Sequence, residues 1–410
     1  MAGPSLRFVQ AGDFHLELPL HGVAEIPENL RDTFIEAPYQ AAETVFDTAV
    51  SEDADFLLLC GDVLDPHAAG ARGILFLLDH FDRLAEHEIP VYWVGGTADP
   101  PDSWPVSAPL PDNVHVFPRG RPTETVVHRG KQPVARICGA SRGGKVSIKA
   151  SEFDTVDDGT FSIGMAHGGA DVPAMTQRPI DYWAVGGRHV RGSLASSPVT
   201  VHYSGTPQGR HPAEVAAHGC TLVEVDELRK TTTRLVTTDV VRWHHEHVVV
   251  DAATDARQLE QMLGDRTQRL VDGAGQRHLL IGWTIAGESP VTQQLRLGKL
   301  ADDLLARLRR GFTQSTAAVW TVSIEAESTD DFLDAWYEED TMLGELLRNA
   351  RSLEQDAAEQ VDLARYIGDE WAGTEVEAAV EISDFETRKE ISRQAAILGS
   401  ELLRGDEARS

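Results

Sequence analysis

The chain has 410 residues, of which 41% are hydrophobic and 25% charged, and it carries a formal net charge of −28. That composition excludes wholesale disorder, and the length points to two or three domains. The acidity excludes a large nonspecific polyanion-binding surface, because phosphates are held by Lys and Arg.

The first 190 residues alternate between β-type and α-type patterns. Arg7–Gly12 is a short apolar run expected to be a buried strand. Phe34–Ala49 keeps Ala41, Val45, Phe46 and Ala49 on one helical face, with Pro38 in an early turn. Phe56–Cys60 reads as a strand, Ile74–Leu84 as a helix and Val91–Gly95 as a strand after Pro90. Phe161–Ala166 and Tyr182–Gly186 are two more strands, and this alternation defines an α/β layered domain. Val199–Ser204, Cys220–Asp226 and Thr233–Thr238 follow with few helical signals, so an antiparallel sheet is expected to close the first domain near residue 240.

A second unit is expected over residues 245–326. His247–Asp251, His278–Ile285 and Ala317–Ile324 are strand-like, and Ala256–Leu270 and Thr292–Leu308 are helical, giving a small βαβαβ module. The segment 329–410 has little strand propensity. Phe332, Trp336, Leu343, Leu346 and Leu347 share one helical face, and Ile391, Ala395, Leu398 and Leu402 follow the spacing of a coiled-coil seam. Residues 331–410 carry 21 acidic residues against 8 basic ones, which suits a partner-binding helical tail rather than a phosphate-binding arm.

The longest apolar runs are five residues, against about 20 for a bilayer span, so no membrane helix is expected. The first residues lack the charged and apolar regions of a signal peptide. Cys60, Cys138 and Cys220 form no CxxC pair, so neither a disulfide framework nor a zinc knuckle is expected, and a reducing cytoplasm fits.

The residues with chemistry sit where strands stop. Gly12-Asp13-Phe14-His15 ends the first strand, Gly61-Asp62 the second and Gly95-Gly96-Thr97-Ala98-Asp99 the third; His167 and Gly186-Gly187-Arg188-His189 end two more. Sites in α/β sheets form outside the carboxyl ends of strands. Imidazole and carboxylate together suit a first-row divalent ion such as Mn, Fe or Zn. Separately, eight basic residues and one acid lie between Arg119 and Lys149. Arg119, Arg121, Arg142 and Lys145 are the candidates there for contacts to nucleic-acid phosphates, the alternative being a solvated loop region.

The ordered set resembles the calcineurin-like metallophosphoesterases, specifically the SbcD-type DNA-repair exonuclease branch and its YhaO-like relatives. Phe8–Leu16 is similar to that family's D-x-H block, Leu58–Asp65 to its G-D block, and Tyr203–His211 to a run found after the metal motifs. The resemblance implies a metallophosphoesterase β-sandwich flanked by helices, a capping domain, and a tail that docks on an SbcC-type coiled-coil ATPase. It also implies DNA ends as substrate, Mn as the metal, and a possible homodimer.

It assigns one metal to Asp13, His15, bridging Asp62 and His189, and a second to Asp62 and His167. The sequence departs from the family at three places. Thr97 stands where a ligand asparagine is usual, Ala98 where a proton-donating histidine is usual, and Gly187 where a further histidine ligand is usual. One tight and one weak metal position follow, with Asp99 and Arg188 as remaining catalytic candidates. Hydrolysis is then weak or lost, and the alternatives to a DNA-end nuclease are a non-catalytic scaffold subunit or a small-molecule phosphoesterase.

Overall fold

The computed structural model describes residues 4–142, 148–156, 158–287, 289–296, 300–311, 317–327 and 334–355, with Lys389, residues 391–393, 395–396 and Gly399 beyond them. The chain divides into two compact units. The first comprises Met1–Val248, Asp255–Thr284 and Ala301–Ile324; the second comprises Val249–Thr254, Ile285–Leu300 and Glu325–Ser410.

Two six-stranded sheets dominate the first unit. The strands are β1 (Leu6–Ala11), β2 (Phe56–Leu59), β3 (Val91–Val94), β4 (Val114–Phe117), β5 (Thr123–Arg129), β6 (Gln132–Ala140), β7 (Phe161–His167), β8 (Tyr182–Gly186), β9 (Gly192–Ser196), β10 (Thr200–Tyr203), β11 (Gly219–Val225) and β12 (Thr231–Thr237). One sheet runs β12-β11-β1-β2-β3-β4 and the other β5-β6-β7-β8-β10-β9. Phe8, Phe56 and Leu58 from the first sheet meet Ile137, Ile163 and Tyr182 from the second in one buried cluster. The opposite face of the first sheet, with Val9, Leu57 and Leu59, packs on the helices α1 (Glu28–Ser51) and α2 (Pro66–Glu86). Burial on both faces explains why these strands read as continuous apolar runs rather than alternating ones. Gln10 of β1 is one of the buried polar residues. Its Nε2 donates to the His202 carbonyl at 3.1 Å and its Oε1 accepts from the Tyr182 hydroxyl at 2.5 Å, tying the sheets together.

Three expectations are corrected here. The strands after residue 199 do not form one antiparallel sheet: β10 lies parallel to β8, whereas β11 and β12 join the other sheet, β11 being antiparallel to β1. Helix α1 starts at Glu28 rather than Phe34, which puts Pro38 in its interior. A proline there deprives the carbonyl four residues back of its partner. That carbonyl, Phe34 O, accepts instead from the Leu20 N–H at 2.9 Å, so the helix continues.

The third correction falls in the βαβαβ module. Its strands β13 (Val241–Val249), β14 (His278–Ala286) and β15 (Val319–Ala326) form a sheet in that order, and β13 begins four residues before residue 245. His278 N–H bonds Val240 O at one end and Val250 N–H bonds Ala286 O at the other, so β13 and β14 run parallel. The helix α3 (Val172–Thr176) precedes this module. Helix α4 (Ala256–Ala274) opens on an Asp255–Gln258 capping box. The single helix expected over Thr292–Leu308 is two, α5 (Pro290–Arg296) and α6 (Ala301–Gly311). Gly298, a poor helix former, lies in the sequence between them. Within the first unit, Val241, Trp243 and Leu280 pack with Leu30 and Phe34 of α1.

In the second unit, α7 (Asp334–Tyr337) and α8 (Met342–Gln355) bury Leu347 and Ala350 against Ala396, with Trp336 and Leu343 half-buried beside them. Ile391 and Ala395 of the expected seam are exposed, and Ser392 and Ala396 are buried instead. The smaller pair, one turn apart, forms the buried side. Phe332, Leu398 and Leu402 lie outside the described residues.

Candidate metal centre

The strands β1, β2, β3, β7 and β8 end at one rim, and short backbone bonds lace their loops together. Asp13 N–H donates to Gly61 O at 2.8 Å and His15 N–H to Asp62 O at 3.0 Å. Asp13, His15 and Asp62 all occupy the left-handed region, at φ 55°, 46° and 52°. Such backbone is uncommon outside glycine, although Asp, Asn and His tolerate it best. Gly61, at φ 89°, has no alternative: a Cβ there would stand 2.6 Å from His167 Nδ1.

This folding brings the five expected ligands together. Polar atoms of Asp13, His15 and His189 lie within 4.8 Å of one another, and so do those of Asp13, Asp62 and His167. Asp13 therefore belongs to both groups and stands beside the Asp62–His167 pair expected from sequence at the second position. Asp62 also reaches both sides. Its Oδ1 accepts from Thr97 N–H at 2.6 Å and Ala98 N–H at 2.7 Å. Its Oδ2 lies 3.1 Å from His167 Nε2 and 3.9 Å from His15 Nε2.

Each of these three histidines has its Nδ1 occupied. His15 Nδ1 meets Glu17 Oε1 at 3.2 Å, His167 Nδ1 meets the Cys60 carbonyl at 2.8 Å, and His189 Nδ1 meets Glu214 Oε1 in a short bond. An acceptor at one ring nitrogen fixes the tautomer and leaves the other as a metal donor. Three Nε2 atoms and two carboxylates thus fit a divalent cation of the Mn, Fe or Zn type.

The charges agree with a cation site. Burial is the largest influence on Asp13 and holds its carboxyl above the usual range, against the pull of His167. Burial also opposes ionisation of Asp62, but the bond and charge of His167 outweigh it and keep that carboxyl well below its ordinary value. His167 is likewise penalised by burial, yet Asp62 raises it to about 9.

Glu17 and Glu214 were not read from sequence. Glu17 stands two residues past His15, where only the left-handed turn at His15 brings it back. Glu214 is 25 residues from its partner and has no local signal. It also accepts from Arg210 N–H at 2.6 Å. The run Tyr203–His211 acts here as scaffold: Thr206 Oγ1 donates to Asp13 O at 2.8 Å, and Gln208 Oε1 accepts from Val240 N–H at 2.8 Å.

The two catalytic candidates part company. Asp99 is 3% exposed, and its oxygens accept from the N–H groups of Asp62, Val63 and Gly96 and from the Trp93 indole. Burial pushes its carboxyl up to about 6 against those bonds. With its oxygens so enclosed, Asp99 is a positioning residue for the loop that holds Asp62, not a group facing a substrate. Arg188 is exposed and lies over the Tyr203 ring at 5.3 Å.

The basic strip is largely taken up by the protein itself. Arg119 pairs with Asp102 at 3.1 Å, Arg129 with Asp55 and Arg136 with Glu124. Arg121 is exposed. Arg142 reaches the centre, its Nη1 donating to Thr97 Oγ1 at 2.8 Å. Lys145 lies outside the described residues.

Residues 6–189 match the calcineurin-like phosphoesterase family, hydrolases that use divalent metals. Residues 243–329 match the middle domain of metallophosphoesterase YhaO. The chain is similar to the uncharacterized metallophosphoesterase YhaO of Bacillus subtilis (strain 168), 28% identical over 349 residues that cover 82% of this chain and 78% of that protein.

Among solved structures it is similar to a dimetal phosphatase from Danio rerio. That match has 12% identity and a TM-score of 0.34, and covers 56% of this chain and 98% of that one. Vacuolar Protein Sorting 29 from Cryptosporidium parvum is 18% identical with a TM-score of 0.25, covering 57% and 97%. Among the described residues, no helix is long and apolar enough to cross a membrane.

Proposed function

We propose that the protein is a metal-dependent phosphodiesterase acting on DNA ends, working with an SbcC-type coiled-coil ATPase, with a centre more complete on one side than the other. The observation that carries the phosphodiester reading is the convergence of Asp13, His15, Asp62, His167 and His189 with all three Nδ1 atoms held. Asp13, His15 and His189 would hold one ion, and Asp13, Asp62 and His167 a second; manganese is the proposed metal. Bound there, a divalent ion supplies Lewis-acid polarisation of phosphoryl oxygens and lowers the pKa of an attacking water.

The chain's own residues do the rest. Asp62 stays ionised chiefly through the bond and charge of His167, while the backbone N–H groups of Thr97 and Ala98 fix one of its oxygens. Arg188, held over Tyr203, steadies a phosphoryl oxygen. Ala98 can donate no proton to the departing oxygen, so that proton comes from solvent. Such an enzyme is slow on alkoxide leaving groups and faster on esters whose leaving group needs no acid. DNA ends and the ATPase are supported by the sequence resemblance, and the acidic segment 331–410 is the proposed docking element.

A second reading, a scaffold subunit without hydrolysis, is favoured by Gly187. A Cβ there would lie 3.1 Å from His167 Nε2, so the backbone leaves scant room for a further ligand. The test is manganese-dependent degradation of linear duplex DNA by the full chain, alone and with a coiled-coil ATPase, against the Asp62→Asn variant. Degradation that the variant loses supports the enzyme. No degradation with retained ATPase binding supports the scaffold.

A further inference from the structure

We infer that Arg210 is a positioning residue of a particular kind, the metal centre's own counter-cation: its buried charge weakens the hold on the ion beside His189 and favours an anionic substrate. This rests on the phosphodiesterase reading and deepens it.

Arg210 lies in the run between β10 and β11, and its main chain is pinned on both sides. The Trp243 indole donates to Gly209 O at 2.9 Å, Arg210 N–H donates to Glu214 Oε2 at 2.6 Å, and Arg210 O accepts from His21 N–H at 2.9 Å. The residue is only 4% exposed. A guanidinium is a rigid fork of N–H donors that stays charged in proteins. Yet Nε and Nη1 have no hydrogen-bond partner among the described residues, and both are sealed from solvent. Nη2 has one neighbour, His189 Nδ1 at 3.5 Å, and that nitrogen is already bonded to Glu214.

Buried polar groups are ordinarily paired, and a buried charge without a partner is costly. Arg191 and Arg229 show the usual arrangement. Each has one sealed nitrogen without a partner, but Arg191 Nε donates to Thr221 Oγ1 at 3.1 Å and Arg229 pairs with Asp181. Arg210 has no such anchor. Solvent does not reach its Nε or Nη1, so a ligand does not reach them either. What is left to this side chain is charge acting through space.

The carboxylates that answer this charge are those of the centre. Burial pulls the guanidinium below its ordinary value, while Glu214, Glu17, Asp13 and Asp62, in falling order, work to keep it charged. Asp13 and Asp62 are candidate ligands; Glu17 and Glu214 stand behind ligand imidazoles. Such a group of carboxylates with no cation among them would grip a divalent ion hard and repel a phosphodiester. One fixed positive charge there opposes the ion and attracts the anion, and at a buried position salt screens it little.

The test is calorimetric titration of the full-length protein and of Arg210→Met, Arg210→Gln and Arg210→Lys, with manganese first and then with inorganic phosphate at saturating manganese. The two neutral variants differ in polarity and shape, so a packing fault in one is exposed by the other, and circular dichroism checks that each is folded. Both should bind manganese about tenfold or more tighter than the parent and phosphate about tenfold more weakly. Manganese should also raise their melting temperatures more than it raises the parent's. Arg210→Lys keeps the charge and should stay near the parent in all three measurements. A residue that merely fills space gives the opposite sign with metal, because looser packing around His189 weakens its ion.

Manganese affinity equal to or below the parent's in the folded neutral variants overturns the inference. So does an Arg210→Lys protein that behaves like them. A parent protein that binds no manganese fails the metal-centre reading itself, whereas manganese binding that is indifferent to residue 210 fails only the counter-cation.

Discussion

The two halves of the metal centre share Asp13 and differ in what stands behind their histidines. On one side, His15 and His189 lean on the carboxylates of Glu17 and Glu214. On the other, His167 leans on a backbone carbonyl, and the neighbouring positions are Thr97, Ala98 and Gly187. A carboxylate behind an imidazole raises its basicity as a ligand; a peptide carbonyl orients it with less charge. The first half is thus built by side chains from end to end, and the second is built largely by the backbone.

The largest blow to that comparison comes from its shared member. Asp13→Asn should abolish manganese binding at both positions, measured as metal per chain after dialysis; one ion retained would mean the halves are independent. Next, Ala98→His supplies the missing acid. It should raise hydrolysis of DNA by the 10²–10⁴-fold typical of general acid catalysis, and leave bis(p-nitrophenyl) phosphate nearly unchanged, because nitrophenolate leaves without a proton. Equal gains on both substrates would point to altered metal loading instead. Gly187→His should not help, given φ 95° and the close His167 ring.

Smaller effects separate the supporting carboxylates. Glu214→Gln and Glu17→Gln should each weaken metal affinity about 10–100-fold, the usual penalty for removing a partner behind a ligand. The loss should fall on one ion of the two, which a two-site metal titration resolves. Last comes a histidine outside the centre. His202, buried between Ser193 and Thr221, is lowered to about 3, first by burial and then by Arg191. A neutral buried imidazole contributes stability that is present above the unfolded value near 6.5 and is lost as pH falls toward 3. Between pH 7 and pH 5 the loss is about 2 kcal/mol. Urea titrations should show that slope in the parent and a flatter one in His202→Asn.

Much of this was legible because burial leaves a mark on sequence. Strands covered on both faces, such as 56–60 and 161–166, read as apolar runs, and the residues just past them could be named as ligands. The exposed edge strand β9, with Ser193, Ala195 and Ser196, leaves no such mark, and β5 carries its charges on an outward face. Glu17 and Glu214 were invisible for another reason. Their roles are set by left-handed turns and by a contact across 25 residues, neither of which has a period. Asp99 misled in the opposite direction, since a carboxylate at a strand end looks the same whether it faces a substrate or ties down a loop.

The carbonyl that Pro38 leaves open has a bearing on how the molecule folds. Helix α1 cannot satisfy its own middle turn; it depends on the Leu20 amide, five residues past His15. The helix and the loop leading away from the metal ligands therefore complete each other's hydrogen bonding, and neither is whole while the other is open. In hydrogen-exchange terms, the Leu20 amide belongs to the same cooperative unit as the helix core and should exchange with it, although it sits in a loop. Opening that loop enough to free His15 then carries the cost of loosening a helix, which makes the ligand end of β1 a rigid wall of the cleft.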